Sequence, residues 1–355
     1  MQKELLKIKK SVLCFTMILL IFFITGCTKK IYDVVYPTLN DGRYDSEFPY
    51  RNASEQLEEV SESIKMLNYI TYYKAYLFSE DQKILQSDIN NKKKIKDSAI
   101  DQVYFNESVS GTATIIFYDG LKIGLLTCAH IGDYPDTVLT YFESPDRQNK
   151  QIIQHMAVKI REHYYVNEIP GDVDFEVVVS DKKRDLAILS KRAINDPFRR
   201  IKPFKYPLGE SSNLELGSFV YIIGYPMGHK MITKGIVSNT RDNRSDSFLI
   251  DALFNRGFSG GIILAIRDGV PNFELVGMAK SVSAKNQYFL APSPLDGQSE
   301  YDPHFPYDGD IHVKKFEGIN YGITYTISTD DIIKFFEENE SILLQKGFNF
   351  DYLTK

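Results

Sequence analysis

Between residues 113 and 327 the chain is cut into short apolar segments rich in β-branched and aromatic side chains, which restricts it to a strand-dominated fold. Ala113-Thr114-Ile115-Ile116-Phe117-Tyr118 is the clearest of them. Asp119-Gly120 then turns the chain, and Leu121 to Thr127 makes a second strand. Further runs lie at 137–142, 175–179, 186–189, 218–223, 232–238, 247–253, 261–266, 274–280 and 321–327, most of them bounded by turn residues. Many short strands and few helices predict an antiparallel sandwich or barrel rather than βαβ units. With 23 Phe, 23 Tyr and 43% hydrophobic residues, such a fold has a substantial core to build. Thr329 to Glu338 reads as a helix, capped by Thr329 or Asp330, with Ile332, Ile333 and Phe336 facing inward.

The first hundred residues have a different texture. Leu57, Val60, Ile64 and Leu67 recur at three- and four-residue spacing, which predicts a helix over 54–80, with Asn52 and Glu55 as a capping pair. Its apolar stripe either docks on the main domain or binds a protein partner. Residues 28–52 are polar, with Pro37, Asn40-Asp41-Gly42 and Pro49, and read as a tether. Asn90-Asn91-Lys92-Lys93-Lys94 reads as a solvated turn. At the start, Lys3, Lys7, Lys9 and Lys10 precede an apolar run from Val12 to Ile24 that ends Ile24-Thr25-Gly26-Cys27. A basic head, a short apolar stretch and small residues make an export signal. The run falls short of the ~20 residues that span a bilayer. An uncleaved anchor with a chance Gly-Cys is the alternative. The ending resembles the lipobox of bacterial lipoproteins. That resemblance implies cleavage before Cys27, a diacylglycerol thioether on its sulfur and acyl anchoring outside the cytoplasm. Thr28, where an Asp would retain the protein at the inner membrane, points to the outer membrane if the organism has one.

Charge and cysteine count exclude two further classes. The formal net charge is −5, from 42 basic and 47 acidic residues, so no basic face for nucleic acid is expected. Of three cysteines, Cys14 lies in the signal and Cys27 is the lipidation site, leaving Cys128 alone. No disulfide framework follows.

Three short segments carry chemistry together. Leu126-Thr127-Cys128-Ala129-His130 is a strand running into a histidine. Arg184-Asp185-Leu186-Ala187-Ile188-Leu189 opens a strand with an Asp. Gly257-Phe258-Ser259-Gly260-Gly261 is a glycine-bracketed serine. The order His, Asp, Ser is that of the chymotrypsin-like arrangement. The segments resemble the T-x-A-H, D-L-A-x-L and G-x-S-G-G motifs of trypsin-like peptidases of the HtrA (Deg) type. Ser110-Gly111-Thr112-Ala113 resembles the opening S-G-S-G-F of that family. Residues 217–228, GSFVYIIGYPMG, and Lys234-Gly235-Ile236-Val237-Ser238 resemble its next two motifs. The similarity covers about residues 104–338, and no PDZ domain follows it. The resemblance implies that His130 is the general base, Asp185 its orienting carboxylate and Ser259 the nucleophile. The N–H groups of Gly257 and Ser259 would form the oxyanion hole. Leu253, six residues before the serine, would sit at the base of the specificity pocket and favour small or medium aliphatic side chains. Cys128 reads as a buried small hydrophobe or a reactive thiol, and His229 as a residue of a surface turn. Nothing in this chemistry needs a metal or an organic cofactor.

The expected architecture is mainly β, with two antiparallel β-barrels of trypsin-like type, an N-terminal helical extension and a C-terminal helix. Its boundaries are a signal peptide at 1–26, a tether and helical extension at 27–103, and a peptidase domain at 104–340. Within that domain, barrel one spans about 104–205, barrel two about 206–328 and the helix 329–340. Residues 341–355 form a tail. Two segments depart from the family pattern. Around 141–176 there is an excess ending in Glu168, Asp172, Asp174 and Glu176. Residues 283–318, rich in Tyr, Pro and Asp, form a second insertion that either gates the substrate cleft or decorates the surface. Asp302, Asp308 and Asp310 do not have the spacing of an EF-hand loop. The expected function is hydrolysis of protein or peptide substrates. The alternative is a catalytically silent fold of the same type, used as a binding or chaperone lipoprotein.

Overall fold

The computed structural model describes residues 40–142, 151–169, 174–193, 201–240, 247–292, 304 and 311–350. The signal segment 1–26, Cys27 and the tether as far as residue 39 lie outside these, as do Asp172, Asp302, Asp308 and Asp310.

Two antiparallel β units follow one another along the chain. The first is an open seven-stranded sheet, a half-barrel. It is built from β1 (Ile64–Leu77), β2 (Asp101–Tyr118), β3 (Lys122–Thr127), β4 (Thr137–Tyr141), β5 (Ile153–Tyr165), β6 (Glu176–Asp181) and β7 (Leu186–Arg192). Its strand order is β4-β5-β1-β2-β3-β7-β6. The second unit is a closed barrel of β8 (Phe219–Gly224), β9 (Met231–Asn239), β10 (Leu249–Ile250), β11 (Ile262–Ile266), β12 (Phe273–Pro292) and β13 (Ile311–Ser328). It runs in the order β10-β13-β12-β11-β8-β9. The mainly β, two-unit architecture is therefore as the sequence predicts, although only the second unit closes. One apolar core runs through both units, from Ile115, Leu125 and Ile188 in the first to Ile223, Ile262 and Met278 in the second.

The largest correction concerns residues 54–80. The helix α1 covers only Ser54–Ser63, and Ile64–Leu77 is a strand of 14 residues. The spacing of Leu57, Val60, Ile64 and Leu67 fits a helix, but from Leu67 onward the period changes to two. Leu67, Tyr69, Thr71, Tyr73 and Ala75 are all buried, while Tyr72 is exposed. A strand lined on one face by Tyr, Thr and Leu gains ladder bonds on both edges here. β1 pairs with β2 from Ile64↔Thr114 to Leu77↔Asp101 and with β5 along Asn68–Leu77. Those long-range pairings outweigh local helix propensity. The extension is thus not a separate helical layer, and a boundary at 104 falls inside β2. α1 itself docks on the body, with Val60 buried and Glu59 and Glu62 paired to Lys205 and Lys202.

Smaller corrections have local causes. The excess around 141–176 contains β5, which pairs on both its edges. The insertion at 283–318 lengthens β12 and β13 into a two-stranded ribbon, registered from Ala284↔Ile319 to Pro292↔Ile311. Lys92–Ser98 is a helix, α2, because the Asn91 side chain accepts the Lys94 N–H at its start. The C-terminal helix α3 (Thr329–Glu338) is capped one residue earlier than expected, by Ser328 Oγ accepting the Asp331 N–H at 3.1 Å. The described part of the tail, 341–350, packs on the body. The helix α4 (Glu340–Gln345) leads to Phe348 and Phe350, both buried against Phe117 of the first sheet.

Because β1 is paired along both edges, its loss should not be tolerated. A chain beginning at residue 101 is expected to show no cooperative thermal transition by circular dichroism. Leu67→Ala in the full chain should lower the urea-unfolding free energy by about 2–5 kcal/mol. A fragment 101–355 that unfolds cooperatively would contradict an integral β1.

Candidate active site

The histidine segment leaves β3 as a short 3-10 turn, Ala129–Gly132. Facing it is the four-residue connection between β6 and β7, which ends in Asp185. Asp185 adopts φ +64°, a left-handed conformation that Asp tolerates better than most residues. The connection is fixed from behind by Asp181, which accepts the N–H groups of Lys183 and Arg184, and by the Arg184 guanidinium forked onto Glu338. The strained backbone aims the buried carboxylate at His130. Asp185 Oδ2 lies 2.7 Å from His130 Nδ1, and Oδ1 accepts the backbone N–H of His130 at 2.8 Å. The Asp185 carbonyl also accepts the Ala129 N–H at 3.2 Å. The imidazole remains 44% exposed, so its far edge is open to a reactant.

Ser259 sits between β10 and β11 on a turn that glycine makes feasible. Phe258 N–H donates to the Asn255 carbonyl at 3.1 Å, and Gly257 has φ +102°. A positive φ at the third position is what a type II turn requires. A Cβ at Gly257 would lie 2.3 Å from the Tyr225 carbonyl oxygen, and one at Gly260 would lie 2.0 Å from that of Thr112. Phe258 is buried in a separate apolar cluster inside the closed barrel with Val220, Ile222 and Ile250, tilted against Phe254, and pins the turn. The Arg256 carbonyl accepts the Met227 N–H at 2.8 Å. The trans peptide therefore sends the Gly257 N–H the opposite way. Among the described hydrogen bonds, neither that N–H nor the one of Ser259 has a protein acceptor. This is the arrangement of two donors that can receive a developing oxyanion.

Thr112, which the motif Ser110-Gly111-Thr112-Ala113 marks but whose role the sequence does not reveal, joins the two units. It is fully buried. Its N–H donates to the Ser259 carbonyl at 2.8 Å and its Oγ1 donates to the Gly257 carbonyl at 2.7 Å. The same Oγ1 accepts the Tyr225 N–H at 2.9 Å, and the Thr112 carbonyl accepts Thr127 Oγ1 at 2.7 Å. Removing that hydroxyl would leave a buried carbonyl and a buried N–H unpaired, at about 1–3 kcal/mol each.

Cys128 and Ser259 lie on adjacent carbonyls of β12. Cys128 Sγ reaches the Ala279 carbonyl at 3.7 Å, and Ser259 Oγ donates to the Lys280 carbonyl at 3.0 Å. Lys280 occupies a register shift between Ala279 and Ser281, so its carbonyl is not committed to the β13 ladder. No described hydrogen bond joins Ser259 to His130; the serine hydroxyl is turned to the Lys280 carbonyl.

The remaining expected residues fall as follows. Cys128 is buried, and burial, reinforced by the Asp185 carboxylate, pushes its thiol well above the ordinary value, which makes it inert. Its Sγ, His130 and Asp185 offer three donor atoms within 4.8 Å of one another, but two of the three groups are already engaged in holding the imidazole. His229 is exposed, as expected of a surface turn. Leu253 is a correction. It is 64% exposed, and it is the neighbouring Ala252 and Phe254 that turn into the barrel core, so Leu253 forms no closed pocket floor.

The family described as "Trypsin-like peptidase domain" matches residues 111–278. "Serine protease HtrA-like" from Staphylococcus aureus, in strains USA300 and NCTC 8325, is 24% identical over 215 residues, covering 53% of this chain and 24% of that protein. This chain thus spans about a quarter of the length of those relatives. Among solved structures, the HtrA-type protease AlgW with tripeptide gives a TM-score of 0.40 at 18% identity, covering 84% of this chain and 65% of that one. A serine endoprotease from Yersinia pestis gives 0.38 at 17%, covering 82% and 67%. The motifs, the double β architecture and the matched family together show that residues 111–278 of this chain are a trypsin-like peptidase domain, with relatives of the HtrA type.

Proposed function

We propose that this chain is a serine endopeptidase that hydrolyses protein or peptide substrates through an acyl-enzyme. The observation that carries the reading is the double grip of Asp185 on His130 beside a serine turn with two uncommitted N–H groups. Asp185 holds the imidazole with its Nδ1–H inward, which leaves Nε2 as the base. Ser259 Oγ, released from Lys280, attacks the scissile carbonyl while Nε2 takes its proton. The carbonyl oxygen becomes an oxyanion and accepts the N–H groups of Gly257 and Ser259. Collapse breaks the C–N bond, and His130 returns the proton to the leaving amine. Water then repeats the sequence on the ester and frees Ser259.

The reading extends to location. The Lys-rich start, the short apolar run and Ile24-Thr25-Gly26-Cys27 support an exported lipoprotein tethered to a membrane through Cys27.

A fluorophosphonate probe should label the wild type on Ser259, and labelling should vanish in both Ser259→Ala and His130→Ala. A folded wild type that does not label would count against the peptidase reading and favour the silent binding protein. Cys27→Ala expressed in a bacterium should shift the protein from the membrane fraction to the soluble one. Equal membrane retention by the variant would contradict lipid anchoring.

A further inference from the structure

The loop that supports the oxyanion turn is also held from outside the matched domain. Residues 225–230 receive a cluster of contacts from the end of α1, the start of β1 and Glu168, which lies between β5 and β6. Tyr225, buried within the core, donates its hydroxyl to Glu168 Oε1 at 3.0 Å. Glu168 Oε2 is paired with Lys65 Nζ at 2.6 Å. Met66 Sδ packs beside Gly228, and Lys230 Nζ donates to the Ser61 carbonyl at 3.0 Å. On its other side Tyr225 is fixed by Thr112 Oγ1, and its carbonyl packs where a side chain on Gly257 would go. The next residue but one, Met227, supplies the N–H that holds the Arg256 carbonyl.

The ion pair itself contributes little to stability, since Glu168 is 46% exposed and solvent screens it. Its consequence is geometric. Burial pushes the Glu168 carboxyl up, but the hydrogen bond and charge of Lys65 more than reverse this, so it stays an ionised acceptor. Burial, followed by the hydrogen bond to Glu168, raises the Tyr225 phenol above its ordinary value, so it stays a neutral donor. The turn Asn255–Phe258 has an alternative close at hand. Type I and type II turns differ by a flip of the central peptide. That peptide is Arg256–Gly257, and a flip would present a carbonyl where the oxyanion needs an N–H.

We propose that Glu168 is a positioning residue for the oxyanion turn. Held by Lys65, it anchors the Tyr225 hydroxyl and thereby fixes the 225–228 loop, whose Met227 N–H keeps the Arg256–Gly257 peptide in its type II orientation. β1 and the β5–β6 connection thus act on the reaction centre without touching substrate. This role rests on the reading of Ser259 as the nucleophile, so its test carries one readout that does not depend on activity.

The experiment compares wild type with Tyr225→Phe, Glu168→Ala and Glu168→Gln. Hydrogen exchange of peptides covering 254–261 is the first readout. It should quicken in Tyr225→Phe and Glu168→Ala, while exchange in β2, β3 and β7 and the thermal midpoint stay at wild-type values. Fluorophosphonate labelling and peptide kcat are the second. They should fall about tenfold with KM little changed, less than the ~10²–10³ lost when an oxyanion donor is removed outright. Glu168→Gln, which keeps an acceptor oxygen, should recover most of both. Unchanged exchange at 254–261 in Tyr225→Phe and Glu168→Ala would overturn the proposal, as would exchange rising equally throughout the chain. A wild type that never labels contradicts the peptidase reading alone, because the exchange comparison still decides the role of Glu168.

Discussion

A buried carboxylate that accepts two hydrogen bonds from one residue fixes both the place and the chemistry of that residue. Asp185 does this to His130, taking its backbone N–H on one oxygen and facing its Nδ1 with the other. The first grip places the strand end, and the second sets the ring. The cost is a left-handed backbone at Asp185, which the surrounding connection holds in place through Asp181, Arg184 and Glu338. The half-barrel brings these two strand ends together.

The second unit brings the serine, and within the apolar core that joins the units Thr112 makes a polar, fully paired contact. Thr112 spends its N–H, its carbonyl and both capacities of its hydroxyl on Ser259, Thr127, Gly257 and Tyr225. A buried polar group is tolerated only on such terms, and the reward is orientation. Tyr225 passes that orientation on to the oxyanion turn from one side, and Glu168 anchors Tyr225 from the other. The hydrogen bonds around the Gly257–Ser259 turn thus reach back through Tyr225 and Glu168 to Lys65 of β1. That strand lies outside the matched domain.

The mainly β class was legible in the sequence, and so were the local geometries of the candidate site; the pairing of individual strands was less so. His130, Asp185 and the Gly257–Ser259 turn are short-range signals, in which a residue type and its immediate neighbours define a backbone geometry. Gly257 has to be glycine for reasons that the Tyr225 carbonyl makes plain. β1 was missed because the spacing of Leu57, Val60, Ile64 and Leu67 matches a helix over its first half, and only pairing with β2 and β5 resolves the second. β5 was missed because it lies in a segment that the family pattern lacks. Thr112 was visible as a motif but silent as to role, since three of its four partners, Ser259, Gly257 and Tyr225, lie more than a hundred residues away along the chain. Leu253 shows the limit of transferring an offset. Six residues before the nucleophile is a position, but the side chain there faces solvent.

The measurement that bears most directly on the central interaction is the tautomer of His130, read from ¹⁵N NMR of the imidazole at alkaline pH. With Asp185 in place, Nδ1 should have the upfield ¹⁵N shift of a protonated ring nitrogen and show a strongly downfield, exchange-protected proton resonance, while Nε2 has the downfield ¹⁵N shift of an unprotonated base. In Asp185→Asn that resonance should be lost. An Nε2–H tautomer in the wild type, or an Nδ1–H signal indifferent to Asp185→Asn, would contradict the account, because the base would then face the wrong way.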